Sequence, residues 1–282
     1  MGTIDEMGAA LPTISVNVTT FNRAQLLARC LDSVLRQSWP ALELVVVDDA
    51  STDETAEVVE RYRTKLPSLR YLRHERNRGN AAARNSALEA CSGPYVAFLD
   101  DDDEWIDPKK LEKQMALLGA PEAEGVALVC SSVRLVREDG SHEDKIVHAP
   151  RDLTETILRG NGIIYSPTVL TRRSTMVRAG GFDTRLARGV DSEYYRTCIV
   201  RLGMDVRFLA DVTTAVHEYG LNRLSPQGDR QASRRALEAH AHLLAKYWKE
   251  YLTHPRAAGR RVRSLVEAAW QVGTGPGGRE VA

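Results

Sequence analysis

The stretch that most constrains this chain runs from Ser92 to Pro108, SGPYVAFLDDDDEWIDP in one-letter code. An apolar run, Tyr95 to Leu99, stops abruptly at Asp100, Asp101, Asp102 and Asp103, followed by Glu104 and Trp105. Five consecutive carboxylates repel one another, and a folded protein keeps them together only where something offsets their charge. Hard divalent cations such as Mg²⁺ and Mn²⁺ do so, because they take oxygen ligands. A charge run can also be a solvated surface loop. This one follows a buried-type strand directly, and ligands of open α/β sheets bind at the carboxyl ends of strands. The placement points to a metal–phosphate site.

The chain before this run alternates between two periods. Thr13 to Thr19 carries β-branched residues at period two and reads as a first strand, ending in Thr20, Phe21, Asn22 and Arg23. Ala24 to Gln37 has a helical apolar stripe, and Pro40 ends it. Leu42 to Val47 is a second strand closing in Asp48 and Asp49, with a capped helix over Glu54 to Lys65. Leu69 to Arg73 is a third strand, His74 to Arg78 a basic loop, and Gly79 to Ala90 an alanine-rich helix. Tyr95 to Leu99 is the fourth strand, and Asp107 and Pro108 start a helix that ends near Leu118. Strands alternating with helices predict an open α/β sheet with mostly parallel strands.

The second half breaks the rhythm. Val126 to Val136 reads as a long strand, Arg137 to Pro150 as a polar loop and Asp152 to Leu158 as a short helix. Tyr165 to Leu170 suits a strand, Ser174 to Ala179 a helical turn, and Gly180-Gly181 a tight turn. Asp191 to Leu202 is helical, Val206 to Leu209 and Val212 to Val216 are two closing strands, and helices follow over Arg230 to Tyr251 and Ala257 to Trp270. The Gly-rich tail after Val272 reads as disordered. The expected division is 11–120 for a first α/β half, 121–226 for a second half of the same domain, and 227–272 for a helical extension.

Composition narrows the function classes. With 282 residues, 43% hydrophobic and 27% charged, the chain can bury a full core. Lys plus Arg equals Asp plus Glu at 38 each, so no global charge points to nucleic acid. Cys30, Cys91, Cys130 and Cys198 are widely spaced in apolar surroundings, which predicts buried free thiols rather than zinc ligands or a disulfide framework. Met1 to Ala10 carries Asp5 and Glu6 and has no secretory character, and no apolar run reaches membrane-spanning length, so a cytoplasmic location is expected. The C-terminal helices mix Arg230, Arg234, Arg235, Arg256, Arg260, Arg261 and Arg263 with apolar residues. Such a face is either solvated or a contact with an anionic inner-membrane surface or a partner subunit, including a second copy of the chain.

Side chains at the carboxyl ends of neighbouring parallel strands converge, so Thr19, Thr20, Asp48, Asp49 and Asp100 to Asp103 should share one cleft. Ser51 and Asp53 read as turn and cap residues, whereas Asp49 at a strand end can accept a base N–H. The sequence has no G-x-G-x-x-G after the first strand and no G-x-x-x-x-G-K-[ST], so neither a Rossmann dinucleotide site nor a P-loop is supported.

The segments TISVNVTTFNRAQLLARCLDSVL, ELVVVDDASTD, NRGNAAARNSAL and PYVAFLDDDDEWIDPKKLEKQ together resemble the nucleotide-binding half of a family 2 glycosyltransferase with the GT-A fold. The likeness is strong over Thr13 to Met115 and continues weakly to about Ser225. It implies inverting transfer from a nucleotide-sugar, usually UDP-linked, with Mg²⁺ or Mn²⁺, to a glycan, lipid-linked, peptide or small-molecule acceptor. By position, Thr19 and Phe21 would line the nucleoside beside Asn22 and Arg23, and Asp49 would read the uracil ring. Asp100-Asp101-Asp102 overlays the D-x-D motif, with Asp101 near the ribose and Asp102 a metal ligand. Arg78 and Arg84 would face the nucleotide, although Arg84 can equally be a structural partner of a carboxylate. GGFDTRLARGVDSEYYRTCIVRLG is similar to the family's G-G-F-D stretch and the helix that follows it. Asp191 falls on the general base, Val190 replaces the glutamate before it, and Glu193 is the fallback. His217 would add a metal or phosphate contact. Trp105, Tyr194 and Tyr195 could stack on sugar faces or fill the core. Two other classes stand beside this one. A sugar-1-phosphate nucleotidyltransferase should carry a Gly-rich basic loop where TTFNRAQ stands, and a binding module without a base would account for Val190.

Overall fold

The computed structural model describes residues 11–66, 68–160, 162–218 and 230–274. Met1 to Ala10, Ser225 and most of the Gly-rich tail lie outside them. In chain order the first half is β1 (Ile14–Thr20), α1 (Ala24–Leu35), β2 (Leu42–Asp48), α2 (Thr55–Arg63), β3 (Leu69–Arg73), α3 (Asn80–Ala90) and β4 (Tyr95–Asp100). Then come β5 (Glu104–Trp105), α4 (Lys110–Leu118), β6 (Val126–Arg137), β7 (His142–Lys145), α5 (Leu153–Arg159), β8 (Val169–Arg172) and α6 (Arg173–Ala179). The chain continues with α7 (Val190–Arg196), a π-helical turn over Thr197–Arg201, β9 (Asp205–Glu218), α8 (Arg230–Lys246), α9 (Trp248–Thr253) and α10 (Pro255–Thr274).

Among the described residues one sheet carries all nine strands, in the order β3-β2-β1-β4-β8-β6-β9-β5, with β7 paired to β6 beside that path. The first four strands are parallel, as their crossover helices require. Beyond β4 the sheet is mixed. β8 runs antiparallel to β4 and β6, β9 is parallel to β6, and β5 is antiparallel to β9. The register pairs Thr20 with Asp48 and Thr19 with Asp100, so three strand ends lie on one edge.

Alternation along the strands builds two cores. Val16, Val18, Leu44 and Val46 face α1, α2 and α4. Val45, Val47, Val96 and Phe98 face α3, α7 and the C-terminal helices. The alanines of α3 let that helix lie close to the sheet, and the Asn17 amide donates to the Arg84 carbonyl at 3.1 Å. Tyr247, Tyr251 and Ala257 belong to the same apolar cluster as Phe98 and Tyr194, so the C-terminal helices share the core of the α/β body.

Several expectations are corrected. The segment over 137–150 contains β7, paired with β6 through Val136–His142 and Val133–Lys145. The two closing strands are one strand, β9, bent by register shifts opposite Ser131 and Ser132. The long C-terminal helix is broken at Tyr247, whose buried ring and non-helical backbone (φ −115°, ψ 27°) separate α8 from α9. The helix expected from Pro108 begins at Lys110, and Asp107 accepts from the Lys109 amide at 2.8 Å. The Tyr165–Leu170 strand begins as a 3-10 turn over Ser166–Thr168 and becomes β8 at Val169. The four cysteines are free and buried, as expected.

The edge opposite the strand ends is closed by Glu43, which accepts from Ser15 Oγ at 2.5 Å and from the Ser92 amide at 2.8 Å. Gly93 fits beside it because it has no side chain. A Cβ there would stand 2.6 Å from the Thr13 carbonyl oxygen and 2.8 Å from Ser15 Oγ. Backbone cannot yield cheaply, so Gly93→Ala is expected to cost about 1–3 kcal/mol, read as a lowered urea midpoint at unchanged m-value. An unchanged midpoint would show that this edge is looser than described.

Candidate active site

The acidic run leaves β4 and turns at once, the Asp103 amide donating to the Asp100 carbonyl at 3.0 Å. Through this turn the carboxylates alternate in direction. Asp100 and Asp102 keep 31% and 26% of their side-chain surface exposed, whereas Asp101 and Asp103 are buried. Asp101, expected near a ribose, turns its carboxylate inward to Arg23 at 2.9 Å. Burial lifts the Asp101 carboxyl to about 7, with Arg23 opposing and Asp102 adding. Asp103, buried among three other aspartates, is pushed well above the ordinary carboxylate range.

Two features hold the run against its own repulsion. Trp105 follows it directly and is fully buried, its indole N–H donating to the Pro167 carbonyl at 2.8 Å and the Lys110 ammonium 4.3 Å from its ring centre. A buried aromatic removes ~150–250 Å² from water, roughly 4–6 kcal/mol at about 25 cal/mol per Å². That burial fastens the end of the run. The second feature is a set of arginines. Arg23 bridges Asp101 and Asp102 at 2.9 and 2.8 Å, Arg29 donates to the Asp102 carbonyl at 2.5 Å, and Arg36 reaches Glu104 at 3.3 Å. Arg29 on α1 and Arg36 at its C-terminal cap stand seven apart, hence on one face, a spacing that was visible in the sequence.

Arg84 is the centre of the site. Its buried guanidinium meets Asp100 on one side and Asp191 on the other. It also donates to Ser166 Oγ at 2.9 Å and to Asn80 Oδ1 at 3.1 Å, and it lies against the Phe98 and Phe182 rings. Burial works against its charge, but Asp191 and Asp100 outweigh it and its pKa is raised. Thr19 Oγ1 donates to the same Asn80 oxygen at 3.1 Å, tying β1 into the network. Asn80 and Ser166 were not expected here. Asn80 stands four residues before Arg84 on α3, a spacing visible in the sequence, whereas only the fold brings Ser166 to Arg84.

Asp191 stands in the first turn of α7, where the cap is Gly189 in the left-handed region at φ 69°, so Asp191 is not the N-cap. It keeps 30% of its side-chain surface open. The protein around its carboxyl raises its pKa above the ordinary carboxylate value, Arg84 opposes, and Asp100 adds to the rise. Val190 is buried in the core beside Tyr194, which gives its apolar character a packing reason. Glu193 is not brought to this cluster. It is buried against Lys246 at 2.5 Å, Tyr247 Oη at 2.8 Å and Thr197 Oγ1 at 2.9 Å, an anchor for the C-terminal helices. Tyr194, Tyr195 and Trp105 are likewise core residues.

The remaining residues frame the cleft. Asn22, with φ 52°, accepts from the Thr52 amide at 2.7 Å, and its own amide donates to Ser51 Oγ at 2.9 Å. Asp53 accepts from the Ala24 amide at 3.0 Å and from Thr55 at 3.2 Å, so Ser51 and Asp53 are the loop-fixing residues expected. Phe21 is left exposed on the rim. Asp49 is buried and accepts from the Arg78 amide at 2.8 Å, the Gly79 amide at 2.7 Å and the His74 ring at 2.6 Å. It thus fixes the basic loop and leaves the Arg78 side chain at the surface. His217, on β9, donates its amide to Asp103 at 2.9 Å and places its ring 3.3 Å from Glu104. Burial lowers its pKa, so the ring favours the neutral form.

Among the described residues no group of three or more His, Cys, Asp or Glu could by itself hold a metal ion. Asp100 and Asp102 nonetheless offer exposed hard oxygens, the donor set of a cation that completes its shell with phosphate oxygens and water. The residues fit such an ion.

The family model described as Glycosyl transferase family 2 matches residues 15–178. TuaG of Bacillus subtilis, a glycosyltransferase provisionally assigned to teichuronic acid biosynthesis, is 38% identical over 162 residues, 57% of this chain and 63% of TuaG. AglE, a glycosyltransferase of Haloferax volcanii, is 28% identical over 214 residues, 73% of this chain and 67% of AglE. The chain thus aligns with under two thirds of TuaG's length. Among solved structures, Staphylococcus aureus TarS 1–349 with UDP-GlcNAc superposes with a TM-score of 0.64 at 22% identity, over 94% of this chain and 81% of that one. The Pyrobaculum calidifontis mannosyltransferase PcManGT, with GDP-Man and Mn²⁺, gives 0.59 at 26%, over 92% and 75%. The first supports the GT-A fold alone. The family match covers more than half of the sequence and runs from Ser15 of β1 past β4, and on it the chain belongs to glycosyl transferase family 2.

Proposed function

We propose that this chain is an inverting glycosyltransferase that takes a sugar from a UDP-linked donor and passes it to an acceptor hydroxyl, with Asp191 as general base. The observation that carries this reading is that one buried guanidinium, Arg84, touches both Asp100 of the acidic strand end and Asp191 of α7. A base and a leaving-group site within reach of one side chain suit a direct displacement.

The donor's nucleoside would lie along Thr19 and the exposed Phe21, with the basic loop held over it by Asp49. Asp102, with Asp100 beside it, would hold a divalent cation, which when bound supplies Lewis-acid neutralisation of the departing diphosphate. PcManGT was solved with Mn²⁺, which supports that choice of ion. Asp191 would accept the acceptor's proton as the acceptor oxygen bonds to the anomeric carbon and the bond from that carbon to the diphosphate breaks. Its raised pKa makes it a stronger base than an ordinary aspartate, and positioned base catalysis contributes about 10²–10⁴-fold. Arg84 would keep the carboxylate aimed and its partner Asp100 in register. The acceptor is a glycan, lipid-linked, peptide or small-molecule hydroxyl.

Asp191→Asn should lower kcat by about 10²–10⁴-fold while UDP-sugar affinity stays within a few-fold, measured by UDP release and calorimetry. Near-native kcat would remove Asp191 from the base role. Because the folded carboxyl sits above the usual value, kcat/KM should fall on the acid side with an apparent pKa above the ordinary ~3.9. That limb should vanish in Asp191→Asn. In a thermal-shift series with Mn²⁺ and UDP- or GDP-sugars, Asp102→Ala should lose the metal-dependent part of the stabilisation. Retention of the full shift would place the cation elsewhere.

A further inference from the structure

We propose that the outward face of α10 docks on an anionic lipid surface. The helix is held to the body along one side by Ala257, Arg261 and Ala268, all buried. Arg261 donates to the Tyr251 hydroxyl at 3.2 Å and to the Leu158 carbonyl at 3.2 Å. On the opposite side Val262, Val266 and Trp270 follow one another at four-residue spacing and are 47%, 60% and 54% exposed. At 100° per residue these three span less than a quarter of the helix circumference, so they form one continuous apolar stripe.

Arginines border that stripe. Arg256, Arg260 and Arg263 are exposed, and the helix carries four arginines against one glutamate, Glu267. An exposed apolar stripe with a tryptophan, bordered by cations, matches a helix that lies in the headgroup plane. The apolar residues enter the acyl boundary and the arginines stay with the phosphates. The preceding helix adds exposed Trp248 and Leu252, with the Lys249 ammonium 5.6 Å from the Trp248 ring centre. No helix among the described residues is long and apolar enough to cross a membrane, so the contact is a surface one. A second copy of the chain is the other occupant of an apolar face. The arginines on the flank of the stripe favour an anionic surface over that occupant, and self-association is an outcome of the test. The proposal stands on α10 alone and is independent of donor, base and acceptor.

Sedimentation of the full chain with phosphatidylcholine vesicles, with and without phosphatidylglycerol, tests it. The expected result is binding to the phosphatidylglycerol vesicles that is at least about tenfold stronger than to phosphatidylcholine alone and is weakened by salt. Val266→Glu and Trp270→Glu should abolish it. The triple Arg256/Arg260/Arg263→Gln variant should lose the lipid preference and the salt dependence, with thermal melting confirming that each variant folds. The triple variant leaves the apolar stripe intact and keeps the test decisive if a glutamate variant is unstable. Three results would overturn the proposal: no sedimentation with either vesicle, sedimentation indifferent to the triple substitution, or a dimer by light scattering that Val266→Glu dissociates without vesicle binding.

Discussion

The contact between Arg84 and the two aspartates, Asp100 and Asp191, joins the halves of this molecule. Asp100 ends a strand of the parallel half, and Asp191 opens a helix more than ninety residues later. Two carboxylates directed into one cleft would repel each other and stay apart without a shared cation. Arginine suits the task because its planar fork offers five donors in fixed directions and keeps its charge when buried. Here Asp100, Asp191, Ser166 and Asn80 take up those donors while the Phe98 and Phe182 rings cover the faces. Deleting one partner of such a buried pair costs about 3–5 kcal/mol because it strands the other charge. The arrangement therefore fixes geometry rather than adding net stability.

The acidic run obeys the same logic on a smaller scale. Its inward members, Asp101 and Asp103, are satisfied by Arg23 and by the His217 amide, and its outward members, Asp100 and Asp102, face the cleft. Trp105 fastens the far end of the turn through β5. The result is a strand end whose two open carboxylates keep a constant place, a surface suited to a cation that keeps part of its shell for phosphate and water.

Much of this was legible because the signals are local. Apolar period and turn residues located β1 to β4, and parallel register then put Thr19, Asp48 and Asp100 on one edge. Other features depend on partners distant in sequence. Nothing near Glu193 indicates that Lys246 and Tyr247, over fifty residues later, will engage it. The inward turn of Asp101 follows from Arg23 in another loop, and Asp49 spends its oxygens on a loop whose path is set by β3 and α3. The two-residue β5 and the polar hairpin strand β7 have no hydrophobic alternation to announce them, and β9 bends through register shifts that read as a gap between two strands.

The central claim is that the Arg84 fork sets the base against the strand end. Steady-state kinetics of Arg84→Lys at saturating donor tests it most directly, because lysine keeps the charge and loses the two-sided geometry. The account predicts a folded protein whose kcat drops by about tenfold or more, the cost of a misplaced catalytic group. A variant that folds and turns over at the wild-type rate would contradict it.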